Sequence, residues 1–160
     1  DRGVEPLRAA AVEQALKAVG FTVIMDKYPP AGYYSVVSKR GVEKEPDIVQ
    51  TSWAFDWAAA SGIVYALFDA RTITSADAKS NYSRGNFSDL QKLFTQADNS
   101  APAAQEKILG DIEQKLIQDK AAHISIYFER SHMMSGSKLG GVQIDNGWGD
   151  LSVIGAYVKK

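Results

Sequence analysis

The stretch Ser52-Trp53-Ala54-Phe55-Asp56-Trp57 sets one carboxylate among three large aromatic side chains. Aromatic faces attract cations, and a lowered local dielectric strengthens the field of a carboxylate. The chemistry this suits is capture of a small cation or an ammonium group. A plainer role stays open, in which Asp56 caps the following helix and the aromatics belong to the core. Other chemistries find less support. Ser, His and Asp all occur, but no Gly-x-Ser-x-Gly turn presents a nucleophile. His123 and His132 lack the close His/Glu spacing of a zinc site, and His123 reads as a structural histidine on a strand. No Gly-x-Gly-x-x-Gly and no phosphate loop is present, and Asp145 and Asp150 fall among turn residues. No cofactor is implied.

The elements that must position this carboxylate alternate between helix and strand. Residues 6–19 carry Leu7, Val12, Leu16 and Val19 near one stripe, with Gly20 placed as the C-terminal cap. Strands are expected at 21–25, at 47–52 and at 123–128, where Ile124, Ile126 and Phe128 alternate with His123, Ser125 and Tyr127. Short helices are expected over 33–39 and toward the end of 58–68. Ser88-Asp89-Leu90-Gln91 fits a capping box ahead of a helix, and Pro102 fits the first turn of the next, which runs to about Ala121. The polar stretch from Asp69 to Asn86 is long for a connection, which suits a functional loop. It holds two formal sequons, at Asn81 and Asn86, read as chance matches. In the Gly-rich tail, strands at 142–144 and 152–158 flank a turn at Asn146-Gly147. The alternation predicts an α/β domain with a mainly parallel sheet covered by helices. In such sheets ligands bind beyond the carboxyl ends of strands, which is where Trp53, Phe55 and Asp56 fall.

Composition narrows the function classes. The 160 residues carry a net charge of −1, with no long run of like charge, which argues against a nucleic-acid surface or a polybasic membrane patch. The absence of cysteine removes disulfide scaffolds, thiolate metal sites and cysteine nucleophiles. The longest apolar stretch, 63–68, is far too short to span a bilayer. The chain opens without Met, as a mature fragment or a cut-out domain would.

Several of these segments together resemble the C-terminal lobe of the family 5 extracellular solute-binding proteins of ABC importers, the peptide and nickel binding group, in its actinobacterial form. Ala18-Val19-Gly20 followed by Phe21-Thr22-Val23 resembles the family's opening helix and strand. Ser52 to Trp57 resembles its Trp-x-x-Asp-Tyr/Trp signature, the most specific piece. Leu67-Phe68 and Asn81-Tyr82-Ser83, the paired helices from Leu90 to Asp119, the strand Ala121 to Tyr127, and Leu139-Gly140-Gly141-Val142 extend the resemblance nearly end to end. The chain departs from the family at Ala58-Ala59-Ala60-Ser61, where Pro-Asp-Pro is frequent, and at His123 and Ser125, where prolines are usual.

The resemblance implies a lobe of a type II periplasmic-binding-protein-like fold and a non-enzymatic role. It implies an oligopeptide held between two lobes and delivered to an ABC permease in the membrane. Asp56 takes the position that holds the peptide ammonium. Trp53, Trp57 and Phe55 line or support the pocket, and Tyr127 and Phe128 stand where the family places pocket aromatics. Residues 1–128 then form an incomplete ligand-binding lobe whose first interlobe strand lies outside this sequence. Residues 129–160 are a return segment that packs on the other lobe. Without that lobe they are expected to be disordered, repacked or exchanged with a second copy. An extracellular or cell-envelope protein, lipid-anchored through an upstream segment, is the matching location. A non-peptide solute (a metal chelate, an opine or an oligosaccharide) is the alternative, and a hydrolase domain a more distant one.

Overall fold

A computed structural model describes residues 5–41, 45–54, 56–128, 132–145 and 150–160. In chain order the helices are α1 (Glu5–Ala18), α2 (Tyr33–Val37), α3 (Ser61–Phe68), α4 (Ser88–Asp98) and α5 (Pro102–Gln118), with a 3-10 turn at Ala70–Thr72 after α3. The strands are β1 (Leu139–Gly140), β2 (Gln143–Ile144), β3 (Leu151–Ser152) and β4 (Tyr157–Val158).

Helices α3, α4 and α5 hold the apolar core. Pro102 opens α5 from its first turn, where its missing N–H costs no hydrogen bond. The 3.6-residue repeat then carries Leu109, Ile112 and Leu116 onto one face. They pack against Leu90, Phe94 and Ala97 of α4 and Val64 of α3. Phe94 is fully buried, its ring 5.3 Å from that of Tyr65. The capping box expected at Ser88 does not form. Phe87 is the N-cap, Ser88 lies inside the helix, and no side chain caps it. Gln91 instead faces the Asp69 carboxylate and the Ala70 amide, at 3.2 Å each.

A charged cluster joins the ends of α3 and α4. Asp69 is 4% exposed and accepts from the Arg71 amide at 2.9 Å and from Arg71 Nε at 2.8 Å. Arg71 Nη1 reaches Asp98 at 2.6 Å, and that guanidinium, with Tyr65 second, holds the Asp98 carboxyl below the usual range. Burial pushes the Tyr65 phenol up to about 12.

The 69–86 stretch is a packed connection rather than an open loop. Ala78 and Asn81 are fully buried. Asn81 donates to the Gly85 carbonyl at 3.2 Å and accepts from Ser83 Oγ at 2.8 Å, which closes the first sequon to solvent. Arg84 donates to the carbonyls of Val37 at 2.8 Å and Lys39 at 3.2 Å and pairs with Glu45 at 3.0 Å, so it ties this stretch to the end of α2.

Helix α1 forms where expected but buries none of its residues; Leu7 and Val19 are exposed, and Val12 and Leu16 half-buried. Gly20, at φ 98°, ends it. Its N–H donates to the Lys17 carbonyl at 3.0 Å and the Phe21 N–H to that of Leu16 at 3.1 Å, the paired bonds that a left-handed glycine cap makes.

The mainly parallel sheet is corrected. Among the described residues the sheets are two antiparallel pairs, β1 with β4 and β2 with β3. Residues 21–25, 47–52 and 123–128 carry no ladder. A parallel strand needs a neighbour on its edge and covered faces. Here Ile24 is 88% and Phe128 94% exposed, and Ile48 and Ile124 are open as well. Alternation and β-branched content favour a strand but do not supply a partner for it.

The tail is one long hairpin with a break. Leu139 pairs with Val158 and Gly140 with Tyr157, and further in Gln143 pairs with Ser152 and Ile144 with Leu151. Between the two ladders Gly141 adopts φ 70°, and a Cβ there would lie 2.0 Å from the Gly155 carbonyl oxygen. Only glycine fits that approach. The Asn146-Gly147 turn lies outside the described residues.

His123 behaves as a structural histidine. Its ring sits 4.8 Å from that of Phe68, and its Nδ1 is buried without a partner among the described residues. Burial lowers its pKa from 6.5, with Glu113 opposing. An unfolded chain therefore takes up the proton first. Stability is complete above the ordinary histidine pKa of about 6.5 and declines as pH falls below it. The urea midpoint is expected to drop between pH 7.5 and pH 5.5, and His123→Phe should flatten that drop. An equal drop in the variant would assign the effect elsewhere.

Candidate functional site

The loop that carries the candidate carboxylate is built by folding back onto the first turn of α3. Trp53 Nε1 donates to the Gly62 carbonyl at 3.2 Å, and Trp57 Nε1 donates to Ser61 Oγ at 2.7 Å. The Ala59 amide donates to the Trp57 carbonyl at 2.8 Å, which makes the turn between loop and helix. The two indoles grip the helix by their N–H groups, at the edges of the rings. Gly62 is what lets the loop lie so close. A Cβ there would stand 2.8 Å from the Trp57 carbonyl oxygen and 3.1 Å from the Trp57 amide nitrogen. One further tether comes from the exposed side of α5. The Ala60 amide donates to Glu106 Oε2 on α5 at 3.1 Å.

Asp56 stands on this loop, exposed, and makes no hydrogen bond or ion pair among the described residues. It does not cap α3. The N-cap is Ala60, with no side-chain bond, and Glu106 satisfies the Ala60 amide. The plainer reading of Asp56 thus loses its hydrogen bond. An unpaired carboxylate beside two anchored indoles is an acceptor suited to an ammonium or another cationic donor.

The expected site residues divide. Trp53, Asp56 and Trp57 lie on one loop, Trp53 half-buried and Trp57 53% exposed. Phe55 lies outside the described residues. Tyr127 is held elsewhere. The Arg8 guanidinium lies 4.0 Å over its ring, and Arg8 Nη1 donates to its hydroxyl. Phe128 stands open to solvent, and no described contact joins either residue to the Trp53–Trp57 loop. They are linked to it at one remove. Arg8 pairs with Glu5 at 2.9 Å, Glu5 accepts from Gln50 Nε2 at 2.6 Å, and Tyr33 donates to the Gln50 carbonyl at 2.7 Å. Gln50 is three residues ahead of Trp53. Sequence reasoning missed this chain. Only the Glu5–Arg8 spacing, three apart on a helix, was a legible signal.

Two surface depressions occur away from the loop. One of about 300 Å³ lies between α4 and α5 and is lined by Leu93, Asp111 and Lys115. One of about 440 Å³ lies beside α2 and is lined by Tyr34, Tyr82 and Lys79. Neither includes Trp53, Asp56 or Trp57.

With this geometry in place, the architecture defines a class. It is a mixed α/β fold of helices with small antiparallel sheets. In particular it is similar to the solved structure of clavulanic acid biosynthesis oligopeptide binding protein 2, with a TM-score of 0.87 at 18% sequence identity. The match covers 100% of this chain and 30% of that one, so the chain spans about a third of its structural relative. No protein-family model and no curated protein sequence matches the chain.

Proposed function

We propose that the chain is one lobe of an extracellular oligopeptide-binding protein that serves an ABC importer. A second lobe of the same protein closes over the ligand, and the closed clamp delivers the peptide to a membrane permease. The observation that carries this reading is the Asp56 carboxylate, unpaired among the described residues and exposed on a loop that Trp53 and Trp57 fasten to α3, in a chain whose fold is similar to that of an oligopeptide-binding protein. Asp56 receives the peptide's α-ammonium, and the exposed Trp57 lies beside it. Peptide backbone and termini carry recognition, and side chains are held loosely. A single lobe offers one wall of the cleft, and the other belongs to the second lobe. In this account residues 129–160 return toward that lobe, and the exposed apolar residues at 21–25 and 123–128 lie at the junction. The location is extracellular or at the cell envelope, anchored upstream through lipid. The protein captures and transfers its ligand without chemical change.

Mass spectrometry of small molecules released from the purified full-length protein tests the reading. Short peptides with free amino termini are expected. A co-purifying sugar or metal chelate, with no peptide present, would contradict it.

A further inference from the structure

We infer that Glu106 is a positioning residue for ammonium recognition at Asp56; the inference rests on the proposed role of that site. The loop from Asp56 to Ala60 is short and rich in alanine, Ala58-Ala59-Ala60, so its own side chains offer little to hold it. The tethers from Trp53 and Trp57 fasten it to the first turn of α3, which is its immediate continuation. They make loop and helix start into one unit, and Val64 further along α3 fixes that helix in the core. Glu106 adds a second fixed point, at the junction of loop and helix. It stands in the second turn of α5, the helix whose Leu109, Ile112 and Leu116 are in the core. Its Oε2 accepts from the Ala60 amide at 3.1 Å, across 46 residues of sequence.

That amide is one of the donors a helix start leaves without an intrahelical partner. The residues that usually satisfy them are absent here, since Ala60 is the N-cap and has no polar side chain. A carboxylate reaching in from another helix therefore does the capping and sets where the loop sits against α5. A carboxylate accepting a backbone N–H makes a stronger bond than a neutral acceptor, and it is aimed by a side chain whose backbone is held by packing. Glu106 never touches the ligand in this account. It acts through the Ala60 amide on the direction in which Asp56 points.

The test is titration calorimetry on the full-length protein with a short peptide and its N-acetylated form, in the wild type, Glu106→Ala, Glu106→Gln and Asp56→Ala. The readout is the ratio of the two affinities, which a general loss of stability does not move. Glu106→Ala is expected to lower the ratio about tenfold, the scale of one lost charge-assisted hydrogen bond. Glu106→Gln keeps an acceptor oxygen and should recover most of the ratio. If Asp56→Ala collapses the ratio and Glu106→Ala leaves it at the wild-type value, the positioning role is overturned and the ammonium site stands. If Asp56→Ala also leaves it unchanged, both fall.

Discussion

Asp56→Ala in the full-length protein is expected to weaken binding of a free-amino peptide by about 100-fold, the scale measured when one member of a desolvated charge pair is removed. The size follows from what closure does. In the lobe described here Asp56 is exposed and unpaired, so it costs little to keep. In the proposed clamp, a second lobe closing over the ligand would take both carboxylate and ammonium out of water, and each would then need the other. With alanine at 56, the ammonium is left in a cleft walled by indoles with no anionic partner. Attraction to an aromatic face offsets only part of that loss. Asp56→Asn separates charge from shape. It keeps an acceptor oxygen and removes the charge, so its loss should fall between wild type and alanine. Titration calorimetry reads both variants. Because the Asp56 side chain makes no hydrogen bond or ion pair among the described residues, neither variant should lower the unfolding midpoint, and a large drop would show that the carboxylate has a structural partner.

Phe94→Ala is the substitution with the largest expected effect on stability. Its side chain is fully buried at the centre of α4, between Tyr65 and the apolar faces of α3 and α5. Removing the ring forfeits its transfer free energy and leaves a cavity that three helices cannot fill by collapsing, about 4 kcal/mol together. For a domain whose whole stability is on the order of 5–15 kcal/mol, that is a large share. Urea denaturation of the 160-residue chain should show a much lower midpoint or no folded baseline. The contrast is Leu7→Ala in α1. Leu7 is exposed, and α1 buries none of its residues, so the cost should stay near 0.5 kcal/mol, the range of ordinary surface substitutions. Equal losses at the two positions would contradict the placement of the core in α3, α4 and α5.

Helix content was legible in the sequence because its signals are local. Gly20 after an apolar-periodic run and Pro102 ahead of one mark their helix ends through backbone geometry alone, and both stand as expected. On α5 the 3.6-residue spacing carries Leu109, Ile112 and Leu116 into the core, while Ile117 stays 44% exposed. The failures share a cause. Ser88-Asp89-Leu90-Gln91 has the residues of a capping box, but Gln91 is drawn to Asp69 in another element, and sequence spacing carries no word of that competition. The strand signals at 21–25, 47–52 and 123–128 gave neither strands nor a parallel sheet, since pairing depends on a neighbour that no local pattern contains. Arg84 fastening to the carbonyls of Val37 and Lys39, and Glu106 to the Ala60 amide, were invisible for the same reason.

The site divides along the same line. The cluster of Trp53, Asp56 and Trp57 was visible as composition, a carboxylate among aromatics. What composition could not decide was whether Asp56 would be consumed by capping α3. The structure gives that work to Glu106 and leaves Asp56 unpaired among the described residues. The grouping of Tyr127 with this loop rested on the resemblance, and the fold instead places its ring under Arg8. That arrangement answers to the charge of Glu5 and the amide of Gln50, far from Tyr127 in sequence.

The central claim is that Asp56 recognises a peptide ammonium. Its most direct test changes only the ligand. Titration calorimetry of the wild-type full-length protein compares a short peptide with the same peptide acetylated at its amino terminus. Acetylation removes the positive charge and keeps one N–H donor. The account predicts that the acetylated peptide binds at least about 100-fold more weakly, in line with the loss of a desolvated charge pair. Equal affinity for the two would contradict it.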